Sequence, residues 1–220
     1  MKLFIGNKAY SSWSMRGWLA LRQSGLPFDE ITVPLYDAEW DRRRAGDEFA
    51  PSHGKVPILW DGDCVVWDSL AIVEFLADRV GRDRFWPADE HARAMARSMA
   101  AEMHSSFPNV RRELPMNVRR QYPTPDLSAP VVQEIERVLS LWAEARARFG
   151  GTGRYLFGDY SAADIMFAPM ATRFITYSVP LPGFARTYIE ALFTHPDIRR
   201  WIDAAQEESW TIERFEQPLR

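Results

Sequence analysis

The stretch KAYSSWSMRGWLALRQSG, residues 8–25, places three serines around a tryptophan at the start of an amphipathic pattern. Met15, Trp18 and Leu19 recur at helical spacing, and Gly25 ends the pattern, so the stretch predicts a helix. Serine is a preferred N-cap residue because its hydroxyl accepts hydrogen bonds from free backbone N–H groups. A serine there can also donate to an anion, which the helix N-terminus attracts. The residues alone leave both interpretations open.

Strand patterns lie on both sides of this helix. The apolar run KLFIG precedes it, and Ile31, Val33 and Leu35 alternate with other residues after it. Pro34 cannot donate a ladder hydrogen bond, so we expect the second strand to lie at a sheet edge. The segment at 37–50 is polar and predicts either a short helix or a loop.

A hairpin and a second helix follow. The run VPILWDGDCVVWD predicts two strands joined by a tight turn at Asp61 and Gly62. In DSLAIVEFLADRVG, either Asp68 or Ser69 can cap a helix that Gly81 ends. Alternating strands and helices of this kind predict a mixed sheet with helices packed against it.

Beyond residue 87 the pattern is helical only. Met95, Met99 and Met103 share one helical face, which Phe107 continues, and such a stripe forms either core or the wall of a groove. Ser161 and Asp164 have the spacing of a capping box, for which we favour a purely structural role. We therefore predict two domains, an α/β domain at 1–81 and an all-helical domain at 88–220.

Composition limits the possible partners and the compartment. The 220 residues carry a net charge of −3, which predicts neither a nucleic-acid partner nor a membrane partner. Cys64 is the single cysteine, so we expect a cytoplasmic protein without disulfides, and a structural thiol rather than a nucleophile. We expect no bound metal, because the histidines lack ligand spacing; they are His53, His91, His104 and His195.

Two further short motifs have both a structural and a ligand-binding interpretation. The Val56–Pro57 bond precedes a strand, and a trans bond is the default because only about 5–6% of X–Pro bonds are cis. Asp68 and Ser69 either begin a helix or hold an amino-acid head group, with the carboxylate at the helix N-terminus and the ammonium near Asp68.

Taken in order, these motifs resemble the cytosolic glutathione transferases. The resemblance covers essentially the whole chain and is firmest over residues 3–80 and 155–170. SSWSMR, GKVPIL and DSLAIVEFL are similar to the serine-using branches, and the opening is most similar to the zeta-type pattern SSCSWR. The resemblance implies a thioredoxin-like N-terminal domain, a helical C-terminal domain, glutathione as co-substrate and a twofold homodimer.

The resemblance also implies roles for particular residues. In the zeta pattern the catalytic serine lies five residues before the arginine, which selects Ser11 when the count starts from Arg16. In the delta pattern it lies four residues before the arginine, which selects Ser12. Ser14 is then expected to cap the helix. A cis Val56–Pro57 bond would hold the cysteinyl part of glutathione. The remaining glutathione contacts implied are Asp68 and Ser69 at the γ-glutamyl end and Lys55 and His53 at the glycyl carboxylate. Trp13, Met103 and Phe107 are expected to line the pocket for the second substrate.

The sequence departs from the zeta pattern at one of these positions. Trp13 stands where that pattern has cysteine, so isomerase chemistry that needs a second thiol is not expected. We expect conjugation of glutathione to small apolar electrophiles. The alternatives are a maleylacetoacetate-type isomerase, whose substrate carboxylates Arg111 and Arg112 could bind, and a non-catalytic binding module. Arginines on a solvated helix face are the simpler interpretation of that pair.

Overall fold

A four-stranded mixed sheet forms the first part of the computed structural model, which describes residues 1–216. The strands are β1 (Lys2–Ile5), β2 (Asp29–Thr32), β3 (Ile58–Asp61) and β4 (Cys64–Trp67), in the order β2-β1-β3-β4. β1 pairs in parallel with β2 and antiparallel with β3, which pairs antiparallel with β4. The sheet and its helices have the thioredoxin-like arrangement that the resemblance implies.

The turn and edge predictions are confirmed. β2 lies at one edge of the sheet, and Pro34 lies two residues after its last residue, Thr32. Gly62, at the tip of the β3–β4 hairpin, has a φ of 60°, a backbone conformation that glycine adopts without steric cost. Cys64 is exposed at the first position of β4 rather than inside the strand, so it does not contribute to the core as a structural thiol would.

Three helices belong to this first part: α1 (Ser12–Ser24), α2 (Ala38–Arg43) and α3 (Ser69–Val80). Gly25 ends α1 in the left-handed conformation, and its N–H donates to the carbonyl of Arg22. α1 packs against α3 and also against the helical part that follows. This central position of α1 places its N-terminus close to residues from both parts of the chain.

The second part is built from helices. They are α4 (Glu90–Ser105), α5 (Pro108–Glu113), α6 (Ala129–Phe149), α7 (Ala162–Thr176), α8 (Gly183–Thr194) and α9 (Pro196–Glu207). The sequence patterns did not predict α5, a single short helix that follows Phe107 in a left-handed backbone conformation. The predicted helical domain extends to residue 220, and its residues 217–220 lie outside the described residues.

Helix α7 is the centre of the helical core, because almost all of its residues are buried. The Asp164 carboxylate accepts hydrogen bonds from the Ser161 N–H at 2.8 Å and from the Leu156 N–H at 3.1 Å, and Tyr188 donates to it at 3.0 Å. Ser161 and Asp164 therefore form a capping box at the start of α7. Burial raises the pKa of Asp164 to about 6, although these donors act in the opposite direction.

No helix within residues 1–216 combines the length and the apolar character needed to cross a membrane.

Candidate active site

A cavity of about 700 Å³ opens beside the N-terminus of α1. Every residue that lines it comes from the first part of the chain. The lining consists of Ser11, Trp13, Leu35, Tyr36, Trp40, Arg44, Ser52, His53, Gly54, Lys55, Val56, Pro57, Trp67, Asp68 and Ser69. A volume of this size is typical of a site for a small molecule.

Most of the residues singled out from the sequence meet on this wall. Those placed together are Ser11, Trp13, His53, Lys55, Val56, Pro57, Asp68 and Ser69. Ser12 is not on the wall: it is buried, and its hydroxyl accepts a long hydrogen bond, 3.5 Å, from Nη2 of Arg173. Of the two candidate hydroxyls, the structure brings only that of Ser11 to the cavity.

The Ser11 hydroxyl lies at the N-cap of α1. Its Oγ accepts from the Ser14 N–H at 3.4 Å and lies 2.8 Å from the Ser14 Oγ. The Ser14 Oγ in turn accepts from the Gly6 N–H at 2.9 Å. The prediction that Ser14 caps the helix is therefore wrong. Ser14 lies inside the first turn, fully buried, and its hydroxyl joins α1 to the end of β1.

The loop before β3 is held in shape by Ser52. Its single hydroxyl hydrogen lies between the carbonyl oxygens of Phe49 and Lys55, which are 3.0 Å and 2.7 Å from the Oγ, and the Oγ accepts from the Lys55 N–H. The Val56–Pro57 bond that follows is cis, as the resemblance implies. Lys55 and His53 are exposed, so their side chains lie at the rim of the cavity rather than in its interior.

The N-terminus of α3 forms another part of the wall. Asp68 caps the helix by accepting from the Leu70 N–H at 2.9 Å, and its other carboxylate oxygen lies 3.4 Å from Nε2 of His104 on α4. Ser69 is fully buried, and within residues 1–216 its hydroxyl has no hydrogen-bond partner. A buried hydroxyl without a partner is costly, so this position suits a polar group of a ligand.

Three arginines come together beside the start of α1, and we call them the arginine cluster: Arg16, Arg111 and Arg173. Arg16 is 1% exposed and Arg173 is 6% exposed. Nε of Arg16 donates to the Met166 carbonyl at 2.9 Å, and Nε of Arg111 donates to the Ser106 carbonyl at 2.9 Å. The predicted interpretation of Arg111 as a solvated residue is wrong.

The arginine cluster is positively charged and short of acceptors. Burial, with repulsion from its neighbours, lowers the pKa of Arg16 well below its usual range, and burial lowers the pKa of Arg173 to about 9. Both groups remain charged near neutral pH, because a guanidinium holds its proton in proteins. Nη1 of Arg16 and Nε of Arg173 have no hydrogen-bond partner in the described part of the chain. Buried charge without such partners costs several kcal/mol.

Trp13 supplies part of the stabilisation that the cluster lacks. The guanidinium carbons of Arg16 and Arg111 each lie 4.9 Å from the centroid of its ring. Such contacts contribute about 2 kcal/mol when they are removed from water. His104 meets the same ring edge-on at 5.2 Å. The indole therefore lies at the meeting point of the cavity, the arginine cluster and the His104–Asp68 pair.

Other sequence predictions have a different outcome. Met103 and Phe107 are 1% and 3% exposed and belong to the hydrophobic core, so neither is on the wall of the cavity. The side chain of Arg112 is 65% exposed and donates to Asn109 and Glu113, as a solvated helix residue does. Residues 1–216 bring together no group of three side chains suited to a metal ion.

Several lining residues were missed from the sequence: Leu35, Tyr36, Trp40, Arg44, Ser52, Gly54 and Trp67. Trp40 and Arg44 belong to the polar segment that predicted only a helix or a loop. Trp67 alternates with Val65 in a predicted strand, and only the position of β4 at the sheet edge leaves it 46% exposed. A tryptophan at an exposed strand end beside a helix start is the one local signal that could have identified it.

Comparison with known proteins gives matches over both parts of the chain. The family model for the glutathione S-transferase N-terminal domain matches residues 10–79, and the model for the C-terminal domain matches residues 125–204. Together the two matches cover more than half of the chain. The chain is 28% identical to a zeta-class glutathione S-transferase of Euphorbia esula, covering 94% of this chain and 93% of the relative.

Solved structures agree with these matches. The holo structure of maleyl pyruvate isomerase, described as a bacterial glutathione S-transferase of the zeta class, has a TM-score of 0.72 at 25% identity, covering 96% of this chain and 100% of that one. A glutathione transferase homologue from Burkholderia strain BGR1, with glutathione bound, has a TM-score of 0.71 at 23% identity. The match covers 94% of this chain and 98% of that one.

The thioredoxin-like sheet followed by a helical part is thus the glutathione transferase fold. The chain belongs to the glutathione S-transferase family, with similarity to its zeta class, and is a glutathione transferase. The fold class and the enzyme class expected from the sequence are confirmed.

Proposed function

We propose that this enzyme ionises the thiol of glutathione through a hydrogen bond from Ser11 and transfers the thiolate to small apolar electrophiles. The observation that carries the proposal is the position of Ser11. Its hydroxyl lies on the cavity wall and at the N-terminus of α1, while the hydroxyl of Ser12 is turned toward Arg173. Ser11 thus combines a hydrogen-bond donor with the favourable end of a helix dipole.

The energy of these two effects is sufficient. Lowering a thiol pKa from about 8.5 to about 6.5 requires roughly 2.7 kcal/mol of preference for the thiolate. A hydrogen bond to a charged group contributes about 1.5–3 kcal/mol, and a helix N-terminus adds roughly 0.3–1 kcal/mol. One serine at the start of α1 can therefore produce the shift.

The hydroxyl of Ser14 supports this role. A hydroxyl carries one donor and two acceptor positions, and its hydrogen rotates to suit its surroundings. In the structure the Ser11 hydroxyl donates to the Ser14 Oγ, 2.8 Å away, which also accepts from the Gly6 N–H. When a thiolate is bound, the two hydroxyls can exchange roles, with the Ser14 hydrogen pointing to the Ser11 Oγ. The Ser11 hydrogen is then available to the thiolate. In this arrangement Ser14 orients the donor without touching glutathione.

The remaining wall residues suit the two ends of glutathione. We assign the γ-glutamyl carboxylate to the N-terminus of α3 and the hydroxyl of Ser69, which has no partner within residues 1–216, and the ammonium to Asp68. The backbone of Val56, before the cis Pro57, would pair with the cysteinyl part. Lys55 and His53 at the rim would attract the glycyl carboxylate.

The chemical step that follows needs only the thiolate and the electrophile. The sulfur forms a bond to the electrophilic carbon, and the leaving group, chloride in a chloronitrobenzene, departs with the bonding electron pair. The thiol proton has already been released to solvent. Trp13 provides the apolar surface next to the sulfur.

The arginine cluster favours a second candidate function, isomerisation of a substrate that carries carboxylates. A carboxylate could supply the acceptors that Arg16 and Arg173 lack among the described residues. The zeta-class structural relative is named maleyl pyruvate isomerase, and such a substrate is anionic. In this alternative the thiolate adds to a carbon of the double bond, rotation follows, and the same C–S bond breaks, so glutathione is regenerated.

Retention on immobilised glutathione followed by a conjugation assay with a chloronitrobenzene tests the proposal. We expect binding and turnover, with turnover strongly reduced in Ser11→Ala. Binding without turnover of that electrophile or of a maleyl substrate would instead indicate a non-catalytic binding module. Turnover of the maleyl substrate alone would favour the isomerase.

We extend the proposal to the organisation of the enzyme. Residues 1–81 would bind glutathione and residues 88–220 would provide the second-substrate side, in a twofold homodimer as the family resemblance implies. Trp67 at the exposed sheet edge is suited to such a contact, being 46% exposed in the single chain. Sedimentation equilibrium should give twice the mass of one chain, and a concentration-independent monomer would contradict the dimer.

A further inference from the structure

Trp13 separates the cavity from the arginine cluster. Its ring lines the cavity, whereas no member of the arginine cluster is among the lining residues. Arg16 and Arg111 contact the ring at 4.9 Å each, so the indole lies directly against both guanidinium groups. A molecule in the cavity therefore meets an aromatic surface where it would otherwise meet cations.

The residue type matters at this position. The zeta-type pattern has cysteine there, and a cysteine side chain has neither the area nor the π face to lie against two guanidinium groups. In this chain the indole lies against the two guanidinium groups and stabilises part of the positive charge of the cluster. Since the cluster retains unpartnered donors on Arg16 and Arg173 within residues 1–216, an anion that reached it would find hydrogen-bond donors waiting.

The carboxylates near the cluster are engaged elsewhere. Glu134 acts on Arg111, but it already accepts from Asn109 and from the Val110 N–H. Asp68 acts on Arg16, but it already caps α3 and lies beside His104. An anion in the cavity is therefore attracted toward the arginine cluster, and the indole of Trp13 blocks its direct path to the cluster.

We propose that Trp13 is a specificity-determining residue that restricts the second substrate to uncharged electrophiles by covering the arginine cluster, and that its removal exposes a carboxylate-binding site. This inference rests on the proposed function, because it concerns the second substrate of the same cavity. It adds which chemical class this particular chain rejects and which side chain rejects it.

Two electrophiles that differ at one carboxyl group, ionised in one and methylated in the other, provide the test. They are 4-chloro-3,5-dinitrobenzoate, which is anionic at pH 7, and its neutral methyl ester. The quantity measured is the ratio of kcat/KM for the acid to kcat/KM for the ester. We expect the wild-type enzyme to favour the ester, and Trp13→Ala and Trp13→Cys to raise the ratio by about tenfold or more, which corresponds to about 1.4 kcal/mol.

Matched variants separate the shielding of the arginine cluster by Trp13 from the effect of side-chain size alone. Trp13→Phe keeps an aromatic face and should retain a ratio close to that of the wild type. The double variant Trp13→Ala with Arg111→Gln should lose most of the gain, because one of the two positive charges that lie against the indole is gone. A ratio that stays unchanged in both Trp13→Ala and Trp13→Cys would overturn the inference.

The outcomes also distinguish this inference from the proposed function. If the wild-type enzyme conjugates neither electrophile, the proposed function fails. If it conjugates the ester but the ratio does not respond to Trp13, only the inference fails.

A readout independent of turnover is the thermal stabilisation of each variant by malonate, a simple dicarboxylate. Malonate should raise the melting temperature of Trp13→Ala by several degrees more than that of the wild type. Equal stabilisation of both proteins would contradict an anion site hidden by the indole.

Discussion

The hydroxyl oxygens of Ser11 and Ser14 lie 2.8 Å apart, and Ser14 is anchored to the Gly6 N–H. This pairing links the residue that faces the cavity to the end of β1. Because the sheet and α1 are both rigid elements, the Ser11 hydroxyl is held in place by backbone structure rather than by a mobile loop. The proposed activation of glutathione depends on that orientation.

Replacement of Ser14 by alanine should therefore affect both stability and catalysis. It leaves the buried Gly6 N–H without its acceptor, which costs about 1–3 kcal/mol of unfolding free energy. It also removes the partner that orients Ser11, so kcat should fall several-fold while KM for glutathione changes little. Urea unfolding and steady-state kinetics measure the two effects. An unchanged kcat in a folded Ser14→Ala protein would show that Ser11 does not need this support.

A series of substitutions at Ser11 separates its capping role from its catalytic role. Ser11→Ala should lower kcat/KM by about tenfold or more. It should reduce the unfolding free energy by only about 0.5–1 kcal/mol, since the capping hydrogen bond is long. Ser11→Asn keeps a capping oxygen but lacks the hydroxyl, so it should be stable and slow.

Ser11→Thr and Ser12→Ala are the controls for that series. Threonine retains both a hydroxyl and a cap, and Ser12 is turned away from the cavity. Both variants should stay within a fewfold of the wild-type rate. A Ser12→Ala protein as slow as Ser11→Ala would instead make Ser12 the donor.

Gly17 fixes the approach of α1 to Pro57. A Cβ added there would lie 2.8 Å from Cγ of Pro57, so alanine must push the helix and this loop apart. Gly17→Ala should cost about 1–3 kcal/mol of unfolding free energy, because overpacking at a close contact forces the backbone to shift. KM for glutathione should rise, since Ser11 and Val56 no longer keep their spacing.

Gly183→Ala is the matched control for this substitution. Gly183 is also a helical glycine, but the nearest atom to an added Cβ is the end of Arg186, 3.9 Å away. The melting temperature of Gly183→Ala and its KM for glutathione should equal those of the wild type or change only slightly. If Gly17→Ala behaves in the same way, the close contact does not position the site.

His195 makes the helical part sensitive to acid. Its Nδ1 caps α9 by accepting from the Asp197 N–H at 3.3 Å, and burial lowers its pKa below the ordinary value. The neutral form is therefore favoured in the folded state. The resulting stability is fully present above pH 6.5 and is lost as the pH falls through the lower, folded-state pKa.

His195→Asn removes this titration but keeps a capping oxygen. Chemical denaturation at several pH values should show the wild type losing more stability than His195→Asn between about pH 6.5 and pH 5. Parallel stability curves for the two proteins over that interval would rule out His195 as the source.

The sequence predicts the fold more completely than it predicts the site, and the reasons are physical. Strands, helices and turns follow from local periodicity and from residues such as Gly25, Gly62 and Pro34, so most elements were predicted within a few residues. The three serines of α1 illustrate the limit. Each is a good N-cap residue, and only the direction of the chain leaving β1 decides that Ser11 occupies the cap and Ser14 the interior.

The arginine cluster is beyond any local pattern. Arg16, Arg111 and Arg173 come from three different helices, and nothing in the spacing of their neighbours indicates that they meet. The same holds for the pair formed by His104 and Asp68, which joins α4 to the start of α3. Such juxtapositions arise from packing between the two parts of the chain, whereas the part of the cavity wall around Ser11, Pro57 and Ser69 is built from motifs that are each visible in sequence.

The most direct test of the central claim is the pKa of the glutathione thiol in the binary complex. It can be followed by the ultraviolet absorbance of the thiolate as a function of pH, in the wild type and in Ser11→Ala. We expect the bound thiol of the wild type to titrate well below the value of about 8.5 that is usual for a free thiol, and that of Ser11→Ala to return most of the way to it. Identical titration curves for the two proteins would contradict activation by Ser11.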